Sequence, residues 1–470
     1  MRRVIAAALL VAAVAASLPW AVGLYLQYRY QQLLEDLAGR GYRVVAEDYR
    51  SGWRHSVVRT EIAPPAVGDK PPRLRVAVRL RHGPAVWLER WPPTLATARG
   101  RVTVVDAPRA LPPLLLNARL AATGALDARL RVPDVAYSGA AGQLHFAASE
   151  AHLQVPGDGH WRLRGGSRRL EATDASGRSL RLGDLGWDLA AGDAGAVLPL
   201  SRLHLSLGSM RLDASSARPP VALAGLDIEA TAAVANGEAG VDAVVAVDAL
   251  AIDAQAYAPS ALTASITGID AAALLDLRER FLALDGGALT ASQQGVVMGR
   301  LVMAKVPELL SRTPTVQVQR LAVTTPYGSL DATAELGLVP PDAARTHGAA
   351  APAMAGAGAH LLPTLLGRLM GDARVSAPQA LVLALVAEQQ TRRARRELAL
   401  RGEPADELPP ALAADVETAA QAATAALVRE GWLEAQQGRL VAALRLDRGT
   451  LRVNGKAVSL PGAVAPAGGP

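Results

Sequence analysis

The amino-acid sequence predicts an α+β fold that is predominantly β. Long amphipathic antiparallel sheets are expected behind an N-terminal transmembrane helix, with further helices concentrated in the C-terminal half. Three observations lead to this class: an uncharged stretch at residues 4–26, an alternation of apolar and polar residues that dominates residues 42–266, and helical patterns after Ile269. Half of the 470 residues are hydrophobic but only 4% are aromatic, so Ala, Leu and Val must supply most of the core.

The N-terminus predicts export from the cytoplasm. Arg2 and Arg3 precede the uncharged stretch, which at ~1.5 Å per residue is long enough to cross a hydrocarbon core of about 30 Å. The two arginines favour a cytoplasmic N-terminus, which leaves the rest of the chain outside the cytoplasm. The alternative is a cleaved secretory signal with its cleavage site among the small residues 13–17. Apolar residues that continue through Leu26 favour the uncleaved signal anchor.

Strands are predicted wherever apolar residues alternate with polar ones. In RLRVAVRLRHGP, residues 73–84, every second residue from Leu74 to Leu80 is apolar and arginines fill most of the positions between, as in an antiparallel strand with one face in water. GRVTVVD, LDARLRV, LHFAASEAHLQV and LSRLHLSLGSMRLD repeat the pattern, and VQVQRLAV and SLDATAELGL are expected to pair across a turn at Pro326-Tyr327-Gly328.

Helices are predicted from periodicity and capping residues. Asp270 is a suitable N-cap for AAALLDLRERFLAL, and VPELLSR is a short helix candidate. LLPTLLGRLM, ALVLALVAEQQTRRARRELALRG and VETAAQAATAALVREGW each carry an apolar face. The predicted segments are 1–30, the anchor; 31–268, a β-rich region; 269–338, mixed helix and strand; 339–360, a low-complexity loop; 361–460, helices and then a β-meander; and 461–470, a disordered tail.

No catalytic, cofactor or metal site is predicted. Cysteine is absent, and none of the eight histidines stands in a ligand spacing. His82 follows a strand and is expected to make a hydrogen bond or support a turn rather than act in catalysis. Arginines scattered through the strands indicate solvated faces, with nucleic acid or an acidic surface as the alternative partner; aromatic residues for base stacking are lacking. The run Arg392, Arg393, Arg395 and Arg396 is interpreted as a solvated helix face, with anionic lipid headgroups as the alternative.

The segment GTLRVNGKAVSL, residues 449–460, predicts a β-hairpin rather than a phosphate-binding loop. A phosphate loop needs Ser or Thr after the Gly-Lys pair and a helix behind it, whereas Ala457 follows Lys456 here. Asn454-Gly455 instead suits a type I′ turn, because both central residues of that turn need positive φ. The predicted register pairs Val453 with Lys456, Arg452 with Ala457, and Leu451 with Val458.

Three local patterns resemble the YdgA-like family of bacterial envelope proteins, whose function is unknown. The first is YRSGWRHSVVRTEI, the second is the HGP that follows an alternating strand, and the third is the ending REGWLEAQQGRLVAALRLDRGTLRVNGKAV. The motif residues are Tyr49, Gly52, Trp53, Ser56, His82, Gly83, Pro84, Gly449, Leu451, Asn454, Gly455 and Lys456. The resemblance supplies no catalytic residues. It implies a single-pass inner-membrane protein of a Gram-negative bacterium with its bulk in the periplasm.

Three functions are consistent with these observations. The first is a non-enzymatic envelope protein, held in the membrane by its N-terminal helix, that binds lipid or a protein partner along an amphipathic sheet. The architecture of AsmA-like lipid-transfer proteins is an analogy for this hypothesis. The second is a scaffold or assembly factor for other envelope proteins, and the third is a periplasmic hydrolase assembled around His82. No nucleic acid partner and no cofactor are expected.

Overall fold

The computed structural model describes residues 21–35, 37–38, 42–63, 73–82, 94–105, 112–139, 142–157, 160–192, 200–213, 219–253, 255–257, 259–284, 291–339, 367–400 and 409–458. The chain divides into two compact units, residues 1–215 with 275–301 and residues 216–274 with 302–470. Strands outnumber helices in the described part, and every described strand pairing is antiparallel, which confirms the predominantly β class.

The first described element of this unit is helix α1, residues 21–35, and helical conformation is found again at residues 37–38. Most of the predicted membrane span, residues 4–20, lies outside the described residues. Within the described ranges, no helix has the length and the apolar character needed to cross a bilayer.

The strands of the first unit form an antiparallel sheet in which β1 to β6 are consecutive neighbours, followed by β9, β10, β11 and β12. Strand β8 pairs with the same edge of β10 as β9 does, at a different part of it, and β7 pairs with β8. The strands are β1 (Arg43–Ser51), β2 (His55–Ala63), β3 (Arg73–His82), β4 (Thr94–Val105), β5 (Leu114–Ala121), β6 (Leu126–Val132), β7 (Val135–Gly139), β8 (Gly142–Phe146), β9 (Ser149–Val155), β10 (Trp161–Asp174), β11 (Ser179–Ala191) and β12 (Arg202–Leu212).

Burial along these strands follows the alternation in the sequence. In β3, every second residue from Leu74 to Leu80 is half-buried. The three residues between them are exposed: Arg75, Ala77 and Arg79. One prediction needs correction, because LHFAASEAHLQV is not one strand. It is divided into β8 and β9, since Phe146 pairs with one part of β10 and Ser149 with another.

The second unit contains its own antiparallel sheet, in the order β13, β14, β16, β17, β18, β19, β21, β22 and β23, with β15 beside β14 and β20 beside β21. The turn at Pro326-Tyr327 joins two strands as predicted. The strands are β13 (Val221–Ala235), β14 (Glu238–Ile252), β15 (Gln255–Ala256), β16 (Ser260–Asp270), β17 (Thr315–Thr325), β18 (Gly328–Leu338), β19 (Leu369–Pro378), β20 (Glu434–Gln436), β21 (Arg439–Asp447), β22 (Thr450–Val453) and β23 (Lys456–Val458).

The other helices within the described residues are α2 (Ala271–Leu284), α3 (Ala291–Leu309), α4 (Gln379–Leu400) and α5 (Pro410–Arg429). Asp270 caps α2 as predicted, because its Oδ1 accepts a hydrogen bond from the Ala273 amide at 2.9 Å. That hydrogen bond, together with one from Arg312, lowers the pKa of the Asp270 carboxyl. Helices α4 and α5 pack on each other, and α4 also contacts β19 and β21.

Two helix predictions were wrong in part. VPELLSR is not a separate short helix, because α3 begins at Ala291, continues past Pro307 and ends at Leu309. Gly295 and Gly299, poor helix formers, hid its first turns. The end of LLPTLLGRLM is not helical: Leu369 and Met370 begin β19 because they pair with Leu338 and Gly337 of β18. Residues 361–366 of that segment lie outside the described residues.

Candidate functional site

The first unit presents one apolar sheet face, which follows from the strand register. Directly paired residues on neighbouring strands share a face, so the pairings define rows that cross the sheet. The first apolar row is Val58, Val78, Gly100, Leu116, Leu130, Ala151, Gly165, Trp187 and Leu205. The second apolar row is Ser56, Leu80, Ala98, Ala118, Ala128, Leu153, Leu163, Leu189 and Leu203.

Burial differs sharply along these rows. At the β2 edge, Ser56, Val58 and Thr60 are buried. From β4 to β12 every member of both rows is only half-buried, including Leu116, Leu130 and Leu163. The face is therefore apolar and covered at its N-terminal edge, but accessible farther across the sheet.

Helix α1 lies over the buried edge of this face. A Cβ atom on Gly23 would stand 3.1 Å from His82 Cε1 and 3.3 Å from Ser51 Oγ, so the glycine permits a close approach. The Tyr49 hydroxyl donates a hydrogen bond to the Gly23 carbonyl at 3.3 Å. At the other end of the helix, the hydroxyls of Tyr30 and Thr60 are hydrogen-bonded. Helix α1 therefore runs alongside β2, from the level of Ser56 towards Thr60.

Ser56 and His82 form the centre of a buried polar cluster beneath α1. Ser56 Oγ lies 3.1 Å from His82 Nε2, and the two residues have exposures of 0% and 2%. The His82 amide donates to the Arg54 carbonyl at 3.0 Å, which fixes the end of β3 against the β1–β2 hairpin. Buried polar groups are tolerated when they are hydrogen-bonded to each other, and such a pair favours one arrangement of helix and sheet.

Two tyrosines complete this cluster. The rings of Tyr30 and Tyr49 are stacked at a tilt, with centroids 5.5 Å apart. Burial raises the pKa of both phenols above the ordinary value. Both hydroxyls are therefore protonated at neutral pH, and the Tyr49 hydroxyl is able to donate its hydrogen bond to Gly23.

The chemistry open to the cluster is limited by its burial. A Ser and a His at 3.1 Å have the spacing of a nucleophile and a general base. A substrate carbonyl would also have to reach Ser56 Oγ, and Ser56 has no exposed surface while α1 is in place. Among the described residues, no group of His, Asp and Glu side chains is arranged to hold a metal ion. The arrangement is that of an internal clamp between helix and sheet.

The structure thus brings together residues of two motifs: Tyr49 and Ser56 from the first, and His82, 26 residues after Ser56, from the second. Gly52 and Trp53 lie in the adjoining hairpin, where a Cβ on Gly52 would stand 2.7 Å from the His55 carbonyl oxygen. Gly83 and Pro84 lie outside the described residues. Sequence reasoning missed the helix partners Gly23 and Tyr30, because nothing in a linear pattern indicates which helix covers a sheet edge.

The remaining motif residues form a second cluster in the second unit. The predicted hairpin register is confirmed at all three pairs, and Asn454 and Gly455 have φ of 47° and 82°, as a type I′ turn requires. Gly449, with φ 81°, lies in the preceding turn, and Leu451 pairs with Leu446 of β21. The Lys456 ammonium lies 5.5 Å from the ring centroid of Trp432, a cation–π contact.

The Asn454 side chain bonds to three backbone groups. Its Oδ1 accepts from the Ala443 amide at 2.8 Å, and its Nδ2 donates to the carbonyls of Trp432 at 2.9 Å and Val441 at 3.4 Å. The Asn454 amide also donates to the Ala443 carbonyl at 2.7 Å. Strands β20 and β22 pair with the same edge of β21, and the Asn454 side chain bonds to the backbone of β21 between them. Its bond to the Trp432 carbonyl also connects β21 to the segment after α5.

These features define a β-rich protein with an amphipathic sheet, an N-terminal helix clamped over one edge of its apolar face, and a C-terminal meander closed by an Asn-Gly turn. A model of a bacterial protein family of unknown function, DUF945, matches residues 1–461, and the chain belongs to that family. No curated protein and no solved structure matches the chain.

Proposed function

We propose that this chain is a non-enzymatic, membrane-anchored envelope protein that binds lipid acyl chains along the apolar face of its first sheet. The observation that carries the proposal is the half-buried state of both apolar rows from β4 to β12. A closed protein core would bury such residues, whereas an acyl chain needs an apolar surface that it can reach. Few aromatic residues and many Ala and Leu side chains give the face a smooth surface suited to a flexible chain.

The orientation of α1 supports attachment to the bacterial inner membrane. The proposed span is the part of the uncharged stretch that precedes Gly23, residues 4–22, because Gly23 already contacts the sheet. The N-terminus would then be cytoplasmic and the bulk of the chain periplasmic. Gly23 lies at the Ser56 end of the sheet, and exposed Tyr25 and Trp53 are found at the same end. Tyr and Trp are enriched where a protein meets the membrane interface. The two apolar rows cross the strands, so both would then lie close to the bilayer, and an acyl chain could pass from the bilayer onto them. The YdgA-like branch of the family is the proposed placement of the chain.

A hydrolase is the weaker candidate, although the Ser56–His82 pair gives it a specific observation. The complete burial of Ser56 argues against it, since the pair would have to open before any substrate could react. A scaffold function for envelope proteins is supported by a different surface, the polar face of the same sheet, which carries exposed arginines.

Lipid co-purification tests the proposal. We expect the full-length chain, extracted from bacterial membranes and purified, to carry phospholipid detectable by mass spectrometry. Leu116→Gln combined with Leu130→Gln places polar groups in the first apolar row and should reduce the bound lipid about tenfold, because each buried CH₂ is worth about 0.8 kcal/mol. Leu115→Gln is the matched control, since Leu115 lies on the opposite face of β5. A wild-type chain that carries no more lipid than the double variant would exclude the proposal.

A further inference from the structure

The polar face of the first sheet groups arginines that are widely separated in the sequence. Two polar rows, offset by one residue from the apolar rows, lie on the opposite face. One row runs Arg79, Arg99, Asn117, Arg129, and the other runs Arg59, Ala77, Arg101, Leu115, Arg131. We call Arg59, Arg79, Arg99, Arg101, Arg129 and Arg131 the arginine patch. All six are exposed.

The arginine patch is barely neutralised. In the part of the chain that the structure describes, no carboxylate forms an ion pair with Arg59, Arg79, Arg99, Arg101 or Arg131, and Arg129 only approaches Asp127 at 4.0 Å. Carboxylates bound the patch on both sides: Glu150 pairs opposite Arg131 on β9, and Asp48, which is held by Arg50 at 3.0 Å, pairs opposite Arg59 on β1. Glu61, the acidic residue of β2, is held by Arg73 and Arg75. Most of the positive charge of the patch is therefore not compensated by carboxylates of the described residues.

The strand register also places two arginines of the patch against each other. Arg79 and Arg99 are directly opposite each other on β3 and β4. Like charges at opposed positions destabilise a sheet, so this pair opposes folding of the chain on its own. The second unit also has two arginines directly opposite each other, Arg445 and Arg452, but Arg445 there approaches the carboxylate of Asp372 at 3.9 Å. Bound carboxylates would remove the repulsion between Arg79 and Arg99.

From this arrangement we infer that the arginine patch is a docking surface for an acidic surface of another protein. Guanidinium groups bind carboxylates through paired hydrogen bonds, and the patch offers a flat array of them. Neighbouring strands are about 4.8 Å apart, and alternate residues of one strand are about 6.7 Å apart. This spacing suits the carboxylates of a folded acidic face. The six positions include no aromatic side chain on which nucleic acid bases would stack.

The geometry favours a protein over the membrane surface. Helix α1 runs alongside β2, so the strands run away from the end of the sheet at which residue 21 lies. The two arginine rows stand at different distances from that end, about 6.7 Å apart, so the patch extends along the sheet face away from a bilayer at that end. This step rests on the proposed membrane attachment of the preceding subsection; the charge of the patch does not.

A binding experiment with the full-length chain in zwitterionic nanodiscs tests the inference. The probe is fluorescent poly-L-glutamate at low ionic strength, where electrostatic binding is strongest. Arg79→Gln, Arg99→Gln and Arg101→Gln together should weaken binding about tenfold or more, as expected when charges at a complementary interface are lost. The matched control removes three exposed arginines from the second unit, Arg320→Gln, Arg374→Gln and Arg445→Gln. It should change binding by less than about twofold.

Two further arms decide between partners and exclude misfolding. Oligothymidylate of equal charge and phosphatidylglycerol vesicles are measured beside the polypeptide. Tighter binding of either one than of poly-L-glutamate overturns the inference, and so do equal losses in the patch and control variants. The patch variant should unfold at the same temperature as the wild type or higher, because the Arg79–Arg99 repulsion is removed. Its co-purified lipid should be unchanged, which separates this inference from the proposed function.

Discussion

Replacing Gly23 by Val is expected to lower the free energy of unfolding by about 1–3 kcal/mol, the usual cost of forcing extra atoms into a packed site. A Cβ at this position already meets His82 Cε1 at 3.1 Å and Ser51 Oγ at 3.3 Å. Valine adds two methyl groups that must displace α1 from the sheet. Gly23→Ala should cost less, because a single Cβ requires only a small shift and alanine is a better helix former than glycine.

The control for this prediction is Gly299→Val on α3. Gly299 is also a helical glycine, but a Cβ there would meet no atom within 4 Å. The same substitution should therefore leave stability unchanged or raise it slightly. Hydrogen exchange of the amides of residues 21–35 provides the local readout, and it should accelerate in Gly23→Val alone. Equal exchange in the two variants would show that α1 is not clamped by the Ser56–His82 cluster.

Asn454→Ala is expected to have the second large effect. The substitution removes three side-chain hydrogen bonds to the backbone, those with Ala443, Trp432 and Val441. Leaving partly buried backbone groups without partners costs about 1–3 kcal/mol. The edge of β21 should then open, because the amide of Asn454 is also bonded to Ala443. Thermal and denaturant unfolding of the purified chain measure the loss.

The chain offers a matched control in a second Asn-Gly turn. Asn236 and Gly237 join β13 to β14 with φ of 54° and 77°, close to the values at Asn454 and Gly455. Asn236→Ala makes the same substitution in a turn of the same type. The loss in its free energy of unfolding therefore measures only the cost of placing alanine in the left-handed conformation. The excess destabilisation of Asn454→Ala over Asn236→Ala is the contribution of the side-chain bonds. An excess near zero would mean that Asn454 serves only the turn.

The features that could be predicted from the sequence are those written in local patterns. Alternation predicted β3, β6 and β21, and the Asn-Gly pair predicted the terminal hairpin with its register. Asp270 identified the start of α2 because an N-cap acts within three residues. The same local reasoning missed the start of α3, where Gly295 and Gly299 weaken the helical pattern, and the start of β19, where pairing with β18 overrides the apolar periodicity of LLPTLLGRLM.

The candidate site depended on distant pairings, which no local pattern contains. Ser56 and His82 meet because β2 and β3 are neighbours, and α1 covers them because Gly23 allows contact. The arginine patch likewise exists only through register: Arg59, Arg79, Arg99 and Arg129 come from four strands, and each one alone is typical of a solvated face. Strand pairing converts an unremarkable alternation into one apolar face and one basic face.

Site-specific cross-linking to lipid tests the central claim most directly, because adjacent residues of one strand point to opposite faces. A photo-reactive amino acid would replace Leu130, in the first apolar row, or Arg129, on the polar face of the same strand. After irradiation of whole cells, we predict lipid adducts on the full-length chain at position 130 and few or none at position 129. Equal labelling at the two positions, or no lipid adduct at position 130, would contradict an acyl-binding apolar face.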